Sequence, residues 1–491
     1  MPLIPLQIPP GVYRNGTDLQ SAGRWRDASL VRWTEGTMQP VGGWLTRVAV
    51  TDQPLRGAIA WRDLAGDRWF ASGSYEGLFV VSASNTVYDI TPTGLTVGDK
   101  DAAVNIGYGG GFYGTAAYGV PRPDTGLYSP VTTWSLDTWG EYLVACSDSD
   151  GQLLEWQLNT ASDAAPITNA PTGCSALVVT EERFLFALAP GGNYRRVQWS
   201  DREDNTTWTP SATNEAGDYD LQTPGQIMLG QRTRGQTLIL TDQDAHTATY
   251  QGPPFVYGFE RVGSSCGAIS RLCAATVDAG VFWMGQSGFF AYAGGAVTAV
   301  PCDVSDYVFN DMNATQRTKV AAVVNSRFSE IWWFYPSSGS IENDRYVVFN
   351  YKENHWATGA LARTSGVNGG IFTTPIWMTP AGNAVNHEIG NQTDGVQPFA
   401  ESGPVQIGNG DQVAVASSFI PDEKTQGQAT VTFKTRFHPN DTERAYGPYS
   451  MANPTDVRFT GRQVAMRVTG ELNVSWRWGV PRLDVTPGGR R

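Results

Sequence analysis

Between Gly57 and Gly359 one pattern recurs six times: a short apolar run, a polar or glycine turn, then a second and more strongly apolar run. The copies are GAIAW…DRWFAS (57 to 72), TWSLDTWGEYLVAC (133 to 146), SALVVTEERFLFAL (175 to 188), IMLGQRTRGQTLIL (227 to 240), CAATVDAGVFWMG (273 to 285) and VAAVVNSRFSEIWWFY (320 to 335). Their starts lie 76, 42, 52, 46 and 47 residues apart. A hairpin unit of that size cannot cover its own apolar faces, so copies must stack on one another as a propeller or an array.

The apolar residues are aromatic or β-branched and come in runs of four to six, too short for a helix to bury a face. A four-stranded blade needs a second strand pair. Candidates follow the hairpins, as in YEGLFVVSASNTVYDI (75 to 90), GNYRRVQWS (192 to 200), GFFAYAGGAVTAV (288 to 300) and DRYVVFNYKENHWATG (344 to 359). A poorer seventh copy is GGIFTTPIWMTPAGNAVNHEIG (369 to 390). The expectation is an all-β chain whose residues 51–400 form a six- or seven-bladed β-propeller.

Two further segments do not repeat. Residues 1–50 form an N-terminal arm in which Arg24, Trp25, Arg26, Asp27, Arg32 and Trp33 crowd together before a turn ending at Trp44. Residues 401–491 read as longer strands of half-buried alternation: QATVTFKTRFHP (428 to 439), VRFTGRQVAMRVTG (457 to 470) and ELNVSWRWGVPRLDVTPG (471 to 488). They are expected to form a β-sandwich-like platform to which the arm adds strands. Tryptophan can stack on arginine stems within one chain. So dense a cluster also fits an interface anchor, and on that reading the candidate interface residues are Arg24, Trp25, Arg26, Arg32, Trp33, Trp44, Arg477 and Trp478. At about 100–130 an extension reads GYGGGFYGTAAYGVPRPDTGLY from Gly107 to Tyr128, too rich in glycine to bury a core. Its formal GxGxxG (Gly109, Gly111, Gly114) opens no helix and does not read as a dinucleotide site.

With 41% hydrophobic and 11% aromatic residues, the chain is not generally disordered. No stretch approaches the ~20 apolar residues of a membrane span, and the start, MPLIPLQIPPG, does not read as a signal peptide. Cys146, Cys174, Cys266, Cys273 and Cys302 have no metal-ligand spacing and are expected to be reduced and structural, as in a cytoplasmic protein. The formal charge of −12 is uneven: residues 1–50 and 401–491 are each +2, leaving −16 on residues 51–400. An acidic body keeps a protein soluble and discourages adhesion to polyanions. Thirty of the 35 basic residues are Arg, which a GC-rich genome produces and which bidentate pairing at subunit interfaces also favours.

Catalytic signatures are sparse. The four histidines, His246, His355, His387 and His438, are scattered, and neither a GxSxG elbow nor a phosphate loop occurs. Asp148-Ser149-Asp150-Gly151 resembles half of a calcium loop but lacks the closing Glu and reads as a turn. The acidic cluster Asp201, Glu203 and Asp204 is the strongest enzymatic candidate, as the acid and base of a glycosidase. The run Asp201 to Trp208 also resembles a degraded Ser-x-Asp-x-Gly-x-Thr-Trp box of sialidase propellers, a hairpin-stabilising device, and that reading is preferred. No catalytic residue, cofactor or metal is expected.

The phrases RNGT…SAGRWRDASLVRW…PVGGW, GYGGGFYG, VQWSDREDNTTWTPSATNEAGD (197 to 218) and VAMRVTGELNVSWRWGVPRLDV together resemble the tail-hub or nozzle proteins of short-tailed bacteriophages, also called packaged-DNA stabilisation proteins. The resemblance implies a structural virion protein, assembled in the host cytoplasm as a ring of six copies below the head-to-tail adaptor. Its partners would be tail fibre, plug or needle proteins and double-stranded DNA passing through the lumen without sequence-specific binding. It brings no catalytic residues. A virion-associated glycosidase and a receptor-binding propeller presenting residues 107–128 remain the alternatives.

Overall fold

The computed structural model describes residues 3–104, 128–407, 412–424, 427–439, 441–451 and 453–489. Seven four-stranded antiparallel sheets follow one another as blades: residues 58–89, 134–166, 176–220, 227–264, 274–300, 321–360 and 365–387. In each of the first six the opening hairpin is the recurring pattern of the sequence. The first strands adjoin in order around a central axis, and that of blade 7 adjoins that of blade 1, so the ring is closed.

Blade 7 has only three strands of its own, Ser365–Val367, Ile376–Met378 and Asn383–His387. The fourth is Trp44–Ala49 from the arm, paired antiparallel from Ala49↔Asn383 to Trp44↔His387. The arm therefore serves both units, where the sequence placed it in the platform alone. An unpaired outer edge on the last blade would expose a row of backbone donors and acceptors, and a strand from the other end of the propeller removes it.

The second strand of a blade is covered by neighbouring blades on both faces. Leu185–Leu188 and Glu330–Tyr335 are buried at every position, which is why these segments read as continuous apolar runs rather than alternating ones. Outermost strands such as Ala165–Pro166 are exposed.

The platform is a two-sheet sandwich. One sheet orders Leu3–Pro5, Arg482–Pro487, Ala414–Ile420 and Thr455–Gly461; the other orders Trp25–Ser29, Phe399–Ser402, Gln463–Gly470, Ala429–Arg436 and Arg444–Ser450, with Val405–Gln406 beside Gln463–Gly470. The segment 457 to 470, expected as one strand, changes sheets at Arg462, so that Val457 and Phe459 fill the core from one side and Val464 and Met466 from the other. The segment 471 to 488 is a strand only at Arg482–Pro487, because Trp476 and Trp478 turn inward from irregular backbone. Phe433 sits at the centre, 4.8 Å from Phe459 and 5.3 Å from Phe419 between ring centroids. One continuous apolar core joins the arm, blades 4 to 7 and the sandwich.

Truncating Phe433 to alanine should cost about 3–5 kcal/mol of unfolding free energy through the cavity left behind. A chemical-denaturation midpoint shifted by that amount at unchanged slope is the expected readout.

Candidate functional site

The axis is where a propeller ordinarily presents chemistry, and its walls follow from strand geometry. First strands stand side by side around it, and alternate residues face inward. Gly230, Ala274, Ala322 and Gly366 line it, together with Arg232, Thr276, Val324 and Asn368. Gly230 and Gly366 are bare because a side chain at Gly230 would meet Val178 and Leu188 of blade 3, and one at Gly366 the Trp377 ring. The cavity there is about 740 Å3, the volume of a small-molecule pocket and not of a bore for duplex DNA.

Both ends carry an arginine held by an aspartate of blade 2. On the upper face, where the first strands begin, Arg271, just ahead of blade 5, pairs with Asp148 of blade 2. Arg271 lines both the axial cavity and a second cavity of about 490 Å3. Asp148 also accepts the Thr133 N–H at 2.8 Å, as part of the turn expected at Asp148-Ser149-Asp150-Gly151. On the lower face Arg232 of blade 4 reaches Asp137 at 2.8 Å, and Asp137 accepts the Val179 N–H at 2.9 Å. Burial raises the pKa of both aspartates, offset by the arginine beside each.

The upper face also holds the two feet of the glycine-rich extension. Gln316, ahead of blade 6, makes a two-way amide bond with the Ala102 backbone at 3.0 and 2.8 Å. The Tyr128 hydroxyl donates to Thr315 O at 2.7 Å, and the buried Lys319 ammonium donates to Asp101 at 2.5 Å and Glu342 at 2.7 Å. Residues 105–127, including Gly109, Gly111 and Gly114, lie outside the described residues.

The proposed interface cluster is largely inside the chain. Trp25, Trp33, Trp44 and Trp478 are buried; Trp25 and Trp33 pack with centroids 6.0 Å apart, Trp44 donates to Asp394 at 2.5 Å, and Trp478 stacks on Phe419. Arg32, 3% exposed, forms two bidentate pairs, with Glu330 of blade 6 at 2.9 Å and with Glu388 after blade 7 at 2.5 and 2.9 Å. These five residues anchor the arm to its own propeller and sandwich, and their burial leaves them no surface to offer a partner. Arg24, bonded to Asp303 at 2.8 Å, Arg26 and the exposed Arg477 retain solvent access.

Arg26 belongs to a network the sequence did not reveal, because its members are scattered over more than 400 positions. Glu401 receives Arg26 at 2.5 Å, Lys434 at 2.7 Å and Arg467 at 3.1 Å. Burial alone would raise the Glu401 pKa; the hydrogen bonds from Lys434 and Arg26 outweigh it and bring it down to about 2.

The acidic cluster of blade 3 caps a loop. Asp204 accepts the Thr206 N–H at 2.8 Å and both the Thr206 and Thr207 hydroxyls, led by the Thr206 hydroxyl in lowering its pKa. Asp201 accepts the Arg202 and Glu215 N–H groups at 2.9 and 2.8 Å. Trp208 is buried and donates to Asn205 O at 2.7 Å. The capping carboxylates are thus Asp201 and Asp204, and none of the three acids lines the axial cavity. All five cysteines are free; burial pushes the Cys266 thiol to about 11 and that of Cys174 to about 12. His246, His355 and His387 are buried and His438 is exposed. No group of metal-binding side chains occurs among the described residues, and no helix there is long and apolar enough to cross a membrane.

No family model matches this chain, and no curated protein matches it. Among solved structures it is similar to a streptogramin B lyase (8% identity, TM-score 0.41) and to a virginiamycin B lyase from Staphylococcus aureus (8% identity, TM-score 0.43), each alignment covering 70% of this chain and 97% of the other. The CNH domain of AfRom2 aligns over 70% of this chain and 98% of its own at 9% identity, with a TM-score of 0.36. Likeness of this size carries no argument about activity, and the propeller stands on its own seven sheets.

Replacing Arg32 with methionine would leave Glu330 and Glu388 buried without their cation, so a loss of about 3–5 kcal/mol is expected in equilibrium unfolding. A lysine there should recover part of it. Because Glu401 titrates lower when folded than the usual carboxylate near ~4.3, its stabilisation is complete above that value and disappears as pH falls toward 2. Denaturant midpoints measured across that window should fall in the native protein and fall less steeply in Glu401→Gln.

Proposed function

We propose that this chain is a non-enzymatic structural subunit of a phage tail, a hub or nozzle protein that assembles as a ring and surrounds the path of the genome. The observation that carries the reading furthest is the single core running through the arm, blades 4 to 7 and the sandwich. It makes propeller and platform one stiff body, as a ring subunit that must hold its position requires. The sequence resemblance supplies the identity of the ring.

Duplex DNA passes between copies in this reading, not through a propeller, whose axial cavity of about 740 Å3 is no bore for it. A passage faced by the −16 body makes few adhesive phosphate contacts. Basic walls would release counterions at every step and retard movement. The mildly basic ends suit docking onto acidic adaptor surfaces.

Native mass spectrometry of the purified chain and electron microscopy of particles test this directly. A ring below the head is the expected result; a lone monomer absent from the particle overturns it. One observation favours a second reading, a propeller that presents the extension to a cell surface: both feet of that extension are fixed to the upper face by Gln316, Lys319 and the Tyr128 hydroxyl. Deleting residues 107–127 should then abolish adsorption while leaving particle assembly intact.

A further inference from the structure

Trp44–Ala49, the fourth strand of blade 7, carries a β-bulge: Val48 pairs with Ala384 and Thr46 with Val385, which leaves Arg47 as the extra residue. A bulge re-aims the side chain it carries. Arg47 turns toward blade 1, its guanidinium 4.5 Å from the ring centroid of Phe372 and 5.9 Å from that of Phe70. From blade 1, Arg68 reaches the same Phe372 ring at 5.9 Å. Arg62 stands directly opposite Arg68 on the blade 1 hairpin and so shares its face. Three guanidinium groups thus converge on the seam between blades 7 and 1, on the lower face, where that hairpin turns.

None of the three has an ion pair among the described residues. Arg47 makes one hydrogen bond, from Nη2 to Ala83 O at 3.3 Å. The nearby turn acid Asp63 is engaged elsewhere: it accepts the Trp69 Nε1–H at 2.9 Å and the Asp67 N–H at 2.8 Å, and Trp69 packs against Trp156 of blade 2. Burial first, and then the like charge of Arg68, lower the Arg47 pKa, with no acid to offset them. Residues 51–400 carry −16, so unmatched cations meeting here run against the composition around them.

Like charges brought together and partly withdrawn from water are costly without a counter-ion. What completes them is an anion, and guanidinium forks match an oxyanion. Donors from two blades suit a tetrahedral ion, which offers oxygens in more directions than a planar carboxylate. Arg62 is exposed and Arg47 and Arg68 are partly so, which leaves the groups open to an ion from solvent. The turn that carries Phe372, residues 369–374, makes one internal backbone bond, Gly370 N–H to Phe372 O at 2.8 Å, and its other N–H groups have no backbone acceptor among the described residues. We propose that this seam binds a single phosphate group, as the free ion or as part of a small molecule. The inference does not depend on the phage reading.

Calorimetric titration of the full chain with inorganic phosphate at low ionic strength tests it. Binding at one site per chain is expected, with acetate roughly tenfold or more weaker at equal ionic strength. Arg47→Gln and Arg68→Gln should each weaken phosphate by about tenfold or more, through loss of a charge-assisted hydrogen bond. Arg234→Gln, an equal change of charge at an exposed turn of blade 4, should leave it unchanged. Thermal unfolding shows whether the variants fold, and the rise in midpoint that phosphate gives the native protein should be lost in Arg47→Gln and Arg68→Gln. Absence of phosphate binding, an equal loss in Arg234→Gln, acetate as strong as phosphate, or displacement of phosphate by a short DNA duplex overturns the proposal. Glycerol 2-phosphate then separates the sources. Tighter binding than inorganic phosphate assigns the group to a phosphorylated small molecule, and weaker binding assigns it to the free ion.

Discussion

Everything above the level of a single blade depends on how one arginine is buried. Arg32 sits between Glu330 and Glu388 with both carboxylates in bidentate geometry, so the arm cannot leave without abandoning two buried charges. Around it, Asn325 donates to Glu388 and Trp332 to Glu330, so the remaining lone pairs are satisfied and the burial is tolerable. The arm is thereby fixed in register, which places Trp25–Ser29 against the sandwich and Trp44–Ala49 against blade 7. One ionic cluster thus couples closure of the ring to attachment of the platform.

The repeated part of the fold was legible because it is local. A hairpin whose second strand is covered on both faces must be written as a turn followed by an apolar run, and Leu185–Leu188 and Glu330–Tyr335 show it plainly. The outer strands were harder to read, since exposure removes the constraint. Blade 7 was hardest, because its missing strand comes from the far end of the chain and no local pattern signals a partner more than 330 positions away. In the sandwich, the change of sheet at Arg462 is invisible to an alternation that continues through it.

Site residues divide the same way. Trp25, Trp33 and Trp44 were conspicuous as a cluster of large side chains, but composition cannot tell an anchor within a chain from one between chains. The Asp201 to Trp208 loop was read as a hairpin-stabilising device, and the hydrogen bonds of Asp201 and Asp204 are local ones of that kind. Glu401 with Arg26, Lys434 and Arg467, and Arg271 with Asp148, were out of reach because each joins residues that only the folded ring brings together.

The strand borrowed by blade 7 also has a consequence in time. Trp44–Ala49 leaves the ribosome before its partner Asn383–His387, which is made 334 residues later, counted from Ala49 to Asn383. At ~5–20 residues per second that delay is on the order of tens of seconds. Throughout it the nascent chain carries an orphaned ribbon and a growing, unclosed stack. Its greatest exposure to chaperones, and to pairing with a neighbour on the same polysome, comes before Asn383–His387 is translated.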